Sequence, residues 1–331
     1  MSSESALLSA GDVAALALLH ERSLHTPLAQ PFLLLALDEA APPPPAVAAW
    51  LRDVPAPVIG VGREDAPWAG HCDAVVDSPA AVAPLLEHIR RAPIAAMTLV
   101  QLLRLIERLP LADALVAESL AYASLQNGSE FQAWRRTRGV MAPAPAERGP
   151  AVLVERDGDA LILQLNRPAN RNAMTVEMRD ALCEALQLAV ADPAVARVRL
   201  VGRGKCFSTG GDLREFGTAP DPATAHFVRS LALPGRWLSA AGPRGEAMVH
   251  GACIGSGIEF PAFATRLVAT PDAWFQLPEL RYGLIPGAGG CVSVSRRIGR
   301  RRTAWLVLSG RRVGATEAHL WGLIDAVVAP I

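Results

Sequence analysis

The chain has 331 residues, 51% of them hydrophobic, and its 32 basic and 32 acidic side chains give a formal net charge of zero. An apolar fraction of this size supplies a substantial core and excludes a mainly disordered chain. A neutral chain also lacks the bulk electrostatic attraction that holds nucleic acid or an anionic membrane surface. We therefore expect a folded protein with no nucleic-acid partner.

The cysteines and histidines give no sign of a disulfide framework or a metal site. The five cysteines are widely spaced without a C-x-x-C pair, and the seven histidines are scattered along the chain, so reduced thiols and no bound metal are expected. The N-terminus lacks the basic and apolar pattern of a secretory leader. Apolar stretches such as 31–37 and 99–106 are too short or too interrupted to cross a bilayer. These features predict a cytoplasmic protein without a membrane partner.

Two proline-rich breaks divide the chain. Four prolines at 42–45 cannot continue a helix, and residues 141–150, rich in Pro, Ala and Gly, are typical of a linker. The predicted division is a small α/β region of unknown role at 1–83, a helical segment at 84–140, the linker at 141–150 and a larger domain at 151–331.

The segment before the linker is predicted to contain three helices. Residues 97–109 are mostly apolar, with their polar side chains gathered towards one side, and a second helix is predicted over 111–125. Gly128 suits a left-handed residue that ends this second helix. Ser129 and Gln132 have the spacing of a capping box at the start of the third helix.

Beyond the linker, short apolar strands alternate with helical or glycine-rich segments. A helix is predicted over 175–190, and the strand candidates are 160–165, 198–201, 246–249, 266–269 and 274–276. This alternation is typical of the α/β class with mostly parallel strand pairing.

Two glycine-rich turns follow predicted strands, and each leads into a predicted helix start. In the first, residues 204–215, the amides of Gly210 and Gly211 are expected to be exposed. In the second, residues 250–259, another backbone donor is expected near Ser256. Two such N–H groups on one oxygen atom would form an oxyanion hole.

Two carboxylates accompany these turns. Glu259 lies three residues after Ser256, and Glu279 lies in the proline- and glycine-rich stretch 277–290. Such a pair can manage one water molecule: one carboxylate orients or deprotonates the water and the other delivers a proton to carbon, provided that their pKa values differ. The alternatives are that Glu259 closes a capping box on the Ser256 amide, and that Glu279 is an ordinary loop carboxylate.

From about residue 151 to 331 the motifs resemble those of the crotonase, or enoyl-CoA hydratase/isomerase, superfamily. The resemblance rests on Asn-Arg-Pro-Ala-Asn-Arg-Asn-Ala at 166–173, Ser-Thr-Gly-Gly-Asp at 208–212, Gly-Ser-Gly-Ile-Glu at 255–259, and Pro-Glu with Ile-Pro-Gly-Ala-Gly-Gly within 278–290. It implies an α/β catalytic core built as a repeated ββα superhelix, with an acyl-CoA thioester as the substrate. It implies no further cofactor, and a homo-oligomer that is either a trimer or a dimer of trimers.

The resemblance assigns roles by position. Gly211 and Ser256 would supply the two oxyanion N–H groups. Glu259 and Glu279 match both glutamates of the hydratases, which favours addition of water to a 2-enoyl-CoA. The residues implied to bind coenzyme A are Asn172, Ala173, Lys205, Asp212, Leu213 and Arg214. The alternatives are an acyl-CoA isomerase or hydrolase that relies mainly on Glu279, and a non-catalytic subunit that binds acyl-CoA.

Three features depart from the family pattern. Ser256 replaces the usual glycine, which keeps the backbone donor but adds a hydroxyl group beside the thioester. Pro261 falls just after Glu259 inside the expected helix, where it removes a backbone donor and is expected to kink the chain. The sequence also ends at Ile331, where the family continues into C-terminal helices that cover the active site.

Residues 84–138 resemble those C-terminal helices. They follow the heptad Gly-His-Cys-Asp-Ala-Val-Val at 70–76, which shares five of seven positions with Gly-Leu-Ile-Asp-Ala-Val-Val at 322–328. We hypothesise a circular permutation that moved the helical cover to the N-terminal side and duplicated the junction heptad. Chance similarity in a chain rich in Ala and Val is the alternative. The hypothesis requires residues 84–138 to pack on the 151–331 core of the same or a neighbouring subunit.

Overall fold

The computed structural model describes residues 6–329, which form three β-sheets surrounded by helices. The strands are β1 Leu7–Leu8, β2 Leu33–Leu37, β3 Val58–Gly62, β4 Ala74–Val76, β5 Val152–Asp157, β6 Ala160–Leu165, β7 Arg197–Gly202, β8 Gly245–Val249, β9 Ala252–Ile254, β10 Arg266–Ala269, β11 Trp274–Gln276, β12 Val313–Gly314 and β13 Ala326–Val327. The α-helices are α1 Ala10–Leu18, α2 Pro45–Asp53, α3 Ala83–Arg91, α4 Pro93–Ile106, α5 Leu111–Gln126, α6 Ser129–Thr137, α7 Val176–Ala191, α8 Pro222–Leu231, α9 Pro234–Ala240, α10 Ser256–Glu259, α11 Gly290–Ser309, which is interrupted at Gly299, and α12 Ala315–Trp321. None of the helices in this described range is both long enough and apolar enough to span a bilayer.

The first sheet has the strand order β1-β2-β3-β4, with every pair parallel. Its strands are continuous apolar runs because both faces are covered. Leu33 and Leu35 of β2 belong to a small core formed with α1 and α2, whereas Leu34 and, on β3, Ile59 belong to the main core. The sheet therefore joins the N-terminal region to the rest of the chain by packing.

The helical segment contains four helices, α3 to α6, one more than the sequence predicted. α5 is followed by Asn127 in a right-handed conformation, and Gly128 has φ −71°, so the prediction of a left-handed Gly128 is wrong. The predicted capping box is also wrong, because Ser129 is already the first residue of α6 and makes no cap hydrogen bond. The Gln132 amide instead donates to the carbonyl oxygen of Gln126 at 2.7 Å, which fixes α6 to the end of α5.

The main domain contains the other two sheets. The larger has the order β13-β10-β8-β7-β6-β5, in which the β5–β6 pair is antiparallel and the other pairs are parallel. The smaller has the order β12-β11-β9. β8 of the large sheet is followed by β9 of the small sheet, and β10 and β11 repeat this arrangement one step further along. The predicted α/β class with mostly parallel pairing is confirmed, and β6, β10 and β11 have the predicted bounds.

A buried ion cluster fastens the N-terminal region to the main domain. Asp73, just before β4, is 1% exposed and accepts hydrogen bonds from Arg104 Nε at 2.9 Å and from Arg300 Nη1 at 3.0 Å. Arg104 lies on α4 and Arg300 on α11, so one carboxylate joins three parts of the chain. Residues 84–138 therefore pack on the core of their own chain, as the circular-permutation hypothesis requires; the hypothesis itself stays a prediction.

Candidate active site

A cavity of about 520 Å³ lies where the main domain meets α5 of the helical segment. Gly211 and Ser256 of the two glycine-rich turns line it, and so do both candidate glutamates, Glu259 and Glu279. Tyr122 of α5 forms part of its wall. The structure thus brings the backbone donors and the carboxylates singled out in the sequence to one cavity.

The first glycine-rich turn is held by contacts with neighbouring loops. Gly210 has φ +88°, and a Cβ atom there would lie 2.5 Å from the carbonyl oxygen of Ile254 in the second turn. The Gly210 carbonyl accepts from the Met174 N–H at 2.8 Å, and the Asp212 N–H donates to Met174 O at 3.1 Å. The intervening Gly211 N–H donates to no residue within 6–329, so it is available to a ligand.

The second glycine-rich turn presents an N–H group in a similar way. Gly255 has φ +51°, and its own N–H donates to Gln276 O of β11 at 2.9 Å. Ser256 is the first residue of α10, where a helix leaves its N–H groups without an intrahelical acceptor. No described residue accepts from the Ser256 N–H. Because the two turns touch, the Gly211 and Ser256 donors are candidates for one oxyanion hole.

Glu259 binds the loop that leads into α11. Its Oε2 atom accepts hydrogen bonds from the N–H groups of Ala288 at 2.7 Å and Gly290 at 3.0 Å. The capping-box alternative for Glu259 is therefore wrong, because these donors, and not the Ser256 amide, use its carboxylate. α10 ends at Glu259 and Pro261 begins a separate 3-10 turn, so the proline does not turn the glutamate out of the cavity.

Glu259 and Glu279 both lie next to Gly255. A Cβ atom on Gly255 would lie 2.8 Å from Oε1 of Glu279 and 3.9 Å from Oε1 of Glu259. Glu279 is 7% exposed and Glu259 is 3% exposed. Glu279 is therefore not an ordinary solvent-exposed loop carboxylate. Oε2 of Glu279 and the hydroxyl of Ser256 are buried and have no hydrogen-bond partner in the described part of the chain. These polar atoms at the cavity are therefore not committed to holding the fold.

Burial separates the proton affinities of the two glutamates. It raises the pKa of Glu259 to about 7, and hydrogen bonds from the backbone of loop 287–290 limit that rise. Burial raises the pKa of Glu279 well above its ordinary value, and the negative charge of Glu259 raises it further. Glu259 therefore ionises before Glu279 as the pH rises. The pair meets the condition for divided base and acid roles.

A third buried glutamate, which the sequence did not predict, is Glu118 of α5. Its two oxygen atoms accept hydrogen bonds from the Gly289 N–H at 2.6 Å and the Val292 N–H at 3.1 Å, at the N-terminus of α11. Glu118 and Glu259 thus bind alternating amides of one stretch, where the helix dipole favours negative charge. Burial raises the pKa of Glu118 to about 8, and the charge of Glu259 adds to the rise. The sequence signal that could have identified Glu118 is a carboxylate in the middle of a mostly apolar helix, because a carboxylate is rarely buried without a partner.

The structure divides the residues implied to bind coenzyme A. Asp212 and Leu213 line the cavity, whereas its lining does not include Asn172, Ala173, Lys205 or Arg214. Asn172 is completely buried, and its amide group hydrogen-bonds to backbone groups of the surrounding loops. Ala173 is buried behind the same loop, and Lys205 is exposed.

Asp212 forms a local turn. Its carboxylate accepts from the Arg214 N–H at 3.0 Å and from the Arg214 Nε at 2.7 Å, and the residues that follow form turns in place of the predicted helix start. Arg214 also donates to Asn170 Oδ1 at 2.6 Å, which ties the turn to the loop before α7.

Within residues 6–329, no group of three or more His, Cys, Asp or Glu side chains could hold a metal ion.

Comparison with known proteins assigns the main domain to a family. Residues 155–330, just over half of the chain, match the family model for enoyl-CoA hydratase/isomerase. The chain belongs to the enoyl-CoA hydratase/isomerase family. It is 34% identical over 181 residues to a Rhizobium meliloti protein named "Probable enoyl-CoA hydratase", a match covering 54% of this chain and 69% of that relative. It is 33% identical over 178 residues to the 2,3-dehydroadipyl-CoA hydratase of Escherichia coli, covering 53% of this chain and 68% of the relative.

A solved structure agrees with this assignment to the enoyl-CoA hydratase/isomerase family. A Mycobacterium abscessus structure described as a "putative Enoyl-CoA hydratase/isomerase" has a TM-score of 0.51 and 31% identity, and the match covers 54% of this chain and 71% of that one. The crotonase fold implied by the sequence is confirmed, and the chain is an enzyme of this family. The matched region contains the candidate oxyanion and carboxylate residues, whereas Glu118 and Tyr122 lie before it.

Proposed function

We propose that this enzyme is a hydratase that adds water across the double bond of a 2-enoyl-CoA. The observation that carries the proposal is the pair Glu259 and Glu279, buried at one cavity beside Gly255 and differing in proton affinity. Moving a double bond requires proton transfer at carbon, which one carboxylate can perform, whereas two carboxylates suit the control of a water molecule. The Escherichia coli relative is named a hydratase of 2,3-dehydroadipyl-CoA, which supports the same reaction class.

The thioester carbonyl oxygen would accept hydrogen bonds from the N–H groups of Gly211 and Ser256. These donors would stabilise the negative charge that develops on this oxygen when water attacks the β-carbon and an enolate forms. Removal of one donor from such a site typically lowers the rate by about 10²- to 10³-fold. Neither N–H group has an acceptor in the described chain, so no protein hydrogen bond has to break when the thioester binds.

Glu259 would act as the base and Glu279 as the acid. The Glu259 carboxylate takes one proton from water as the water oxygen bonds to the β-carbon. Protonated Glu279 then gives its proton to the α-carbon as the enolate collapses, so that one water molecule is added in total. Transfer of a proton from Glu259 to Glu279 through solvent restores the starting state. Burial of both groups strengthens their interactions with the developing charges.

We further propose that Asp212 and Leu213 lie along the coenzyme A moiety, because both line the cavity beside Gly211. For Asn172, Ala173, Lys205 and Arg214, the family resemblance alone supports a contact with coenzyme A. The buried amide of Asn172 would then act by holding the binding loop in shape.

Hydration of crotonyl-CoA and longer 2-enoyl-CoAs, followed by mass spectrometry of the 3-hydroxyacyl-CoA product, tests the proposal. Glu259→Gln and Glu279→Gln should each lower kcat by at least about 10²-fold, the usual contribution of a general acid or base. Glu184→Gln is the matched control, because Glu184 is an exposed glutamate on α7, and it should keep full activity.

Isomerisation of a 3-enoyl-CoA to a 2-enoyl-CoA is measured in parallel. A hydratase should lose hydration in both variants, with Glu259→Gln affecting isomerisation least. Wild-type enzyme that isomerises but does not hydrate any chain length would overturn the proposal in favour of an isomerase that relies on Glu279.

A further inference from the structure

Arg229 of α8 lines the cavity together with Tyr122 and Gln126 of α5. Its guanidinium carbon lies 4.7 Å from the centre of the Tyr122 ring. Nε donates to Ser119 Oγ at 3.0 Å, Nη1 to Gln126 Oε1 at 3.2 Å, and Nη2 to Ser119 O at 3.2 Å. These contacts fix the guanidinium between two helices in one orientation.

Arg229 keeps spare donors and has no carboxylate partner within ion-pair distance in the described part of the chain. A guanidinium has five N–H groups. The three hydrogen bonds above use one N–H group of each nitrogen. One N–H group on Nη1 and one on Nη2 therefore take no part in these bonds. The three acceptors are neutral, and no carboxylate in the described range lies within 4.0 Å of the guanidinium. Burial lowers the pKa of Arg229, and interactions with Tyr122 and Glu118 oppose that shift only in part, so the buried cation carries a free-energy cost.

A chain of contacts through Tyr122 links Arg229 to the loop that binds Glu259. The Tyr122 ring packs against Gly287, where a Cβ atom would lie 2.2 Å from the ring. Gly287 precedes Ala288, which donates to Glu259. Arg229 lies over the same Tyr122 ring. A short acyl chain that passes Glu259 and crosses this ring therefore reaches the guanidinium.

The side-chain partners of Arg229 also distinguish it from a residue that binds the phosphates of coenzyme A. Its partner Ser119 is 6% exposed and directly follows Glu118, which is 2% exposed and binds the start of α11. The guanidinium is thus bound in part to a buried section of α5, next to a glutamate that contacts the same loop as Glu259. The phosphates belong to the part of the substrate farthest from the reacting carbons.

We propose that the acyl chain of the substrate is short and ends in a carboxylate, which Arg229 binds through its two remaining N–H groups. The proposal rests on the proposed hydratase function, because that function places the thioester at Gly211 and Ser256 and so sets where the acyl chain runs. One guanidinium can donate two parallel hydrogen bonds to one carboxylate, and this geometry is stronger and more selective than a single neutral bond. The bound carboxylate supplies the direct ion-pair partner that no described residue provides.

The test compares the binding of two saturated, unreactive thioesters of equal chain length, glutaryl-CoA with a terminal carboxylate and valeryl-CoA with a terminal methyl group, by calorimetry. Wild-type enzyme should bind glutaryl-CoA at least about tenfold more tightly. Arg229→Gln should remove this preference and leave the affinity for valeryl-CoA nearly unchanged. Arg236→Gln is the matched control, since Arg236 is exposed and lies outside the lining of this cavity, and it should keep the full preference.

Because neither ligand reacts, the result does not depend on whether the enzyme hydrates enoyl-CoA. Equal binding of the two thioesters by wild-type enzyme overturns the proposal. An equal loss of affinity for free coenzyme A, valeryl-CoA and glutaryl-CoA in Arg229→Gln also overturns it, because Arg229 would then be a phosphate ligand. If Arg229→Gln does not fold, the proposal is still tested by the preference of wild-type enzyme for glutaryl-CoA over valeryl-CoA and by the same comparison in Arg229→Lys. The lysine variant keeps the charge without the planar pair of donors and should retain only part of the preference.

Discussion

The buried carboxylate of Glu118 should make the stability of the protein depend on pH in a way that one substitution removes. Its pKa is raised from 4.5 to about 8, mainly by burial, so the folded state holds a proton that the unfolded state releases. The resulting stability is fully present below about pH 4.5 and is lost as the pH rises through about 8. At about 1.36 kcal/mol per pKa unit, the whole change is about 5 kcal/mol.

Glu118→Gln keeps the size of the side chain and one oxygen acceptor but cannot ionise. At pH 5 the variant should be less stable than wild type by about 1–3 kcal/mol, because an amide NH₂ then faces one of the Gly289 and Val292 N–H groups. Between pH 5 and pH 9 the stability of the variant relative to wild type should rise by about 4 kcal/mol. With an unfolding entropy of roughly 0.7 kcal/mol per kelvin for a chain of this length, this rise corresponds to roughly 6 °C in Tm.

Thermal unfolding followed by circular dichroism at pH 5, 7 and 9 measures this difference. Glu87→Gln is the control: it removes one exposed glutamate from α3 of the same segment, and its Tm should follow that of wild type at each pH. A Tm difference between Glu118→Gln and wild type that is the same at all three pH values would refute the reasoning. It would show that the amides at the start of α11 keep Glu118 ionised throughout this range.

Three other predictions concern the base, the close approach at the second turn and the ion cluster. A plot of log(kcat/KM) for hydration against pH should fall with a slope near one below about pH 7, because Glu259 must be ionised to accept a proton and its pKa is about 7. A flat profile from pH 5 to 8 would contradict the proposed role of Glu259 as base. Gly255→Ala should lower kcat in initial-rate measurements by at least about tenfold, because the added Cβ would lie 2.8 Å from Glu279 Oε1 and the backbone has φ +51°; full activity would show that the turn tolerates the methyl group. Arg104→Gln should lower the free energy of unfolding in urea by about 3 kcal/mol, because buried Asp73 loses one of its two cationic partners; an unchanged unfolding midpoint would show that Arg300 alone satisfies Asp73.

The features that local patterns encode could be predicted from the sequence. The strands β6, β10 and β11 are apolar runs between turn residues, so their bounds follow from the pattern itself. The two turns could be located because Gly210 and Gly255 adopt positive φ, which glycine accepts without strain. The separation in pKa between the glutamates could not be predicted, because it depends on burial and on amide donors from a distant loop.

Contacts between distant segments could not be predicted. Glu118 binds an amide 171 residues further along the chain, and no pattern within α5 identifies that partner. Gly128 illustrates a local failure: glycine permits the left-handed conformation but does not require it, and here the connection from α5 to α6 uses extended backbone at this residue. The sequence motif around Asn172 likewise did not show whether its amide binds ligand or protein.

The two similar heptads share a hydrogen-bonding geometry. In the first, the Asp73 N–H donates to Val58 O at 2.7 Å, and its carboxylate accepts from the Val58 N–H at 2.8 Å. In the second, the Asp325 N–H donates to Leu267 O at 2.7 Å, and its carboxylate accepts from the Leu267 N–H at 2.6 Å. Each aspartate therefore fixes the start of an edge strand to the neighbouring strand, which runs parallel to it.

α11 connects these two aspartates. Arg300 binds Asp73 at 3.0 Å and Arg297 binds Asp325 at 3.3 Å, from either side of the break in the helix. The two heptads thus share a backbone geometry and an arginine partner on α11, which a duplicated junction would produce; the duplication itself stays a prediction. The helical segment follows the first heptad, and its Glu118 binds the start of α11. One helix thus follows the loop that binds Glu118 and Glu259 and contacts both aspartates further along, so helices encoded before the linker complete a cavity built mainly from residues after it.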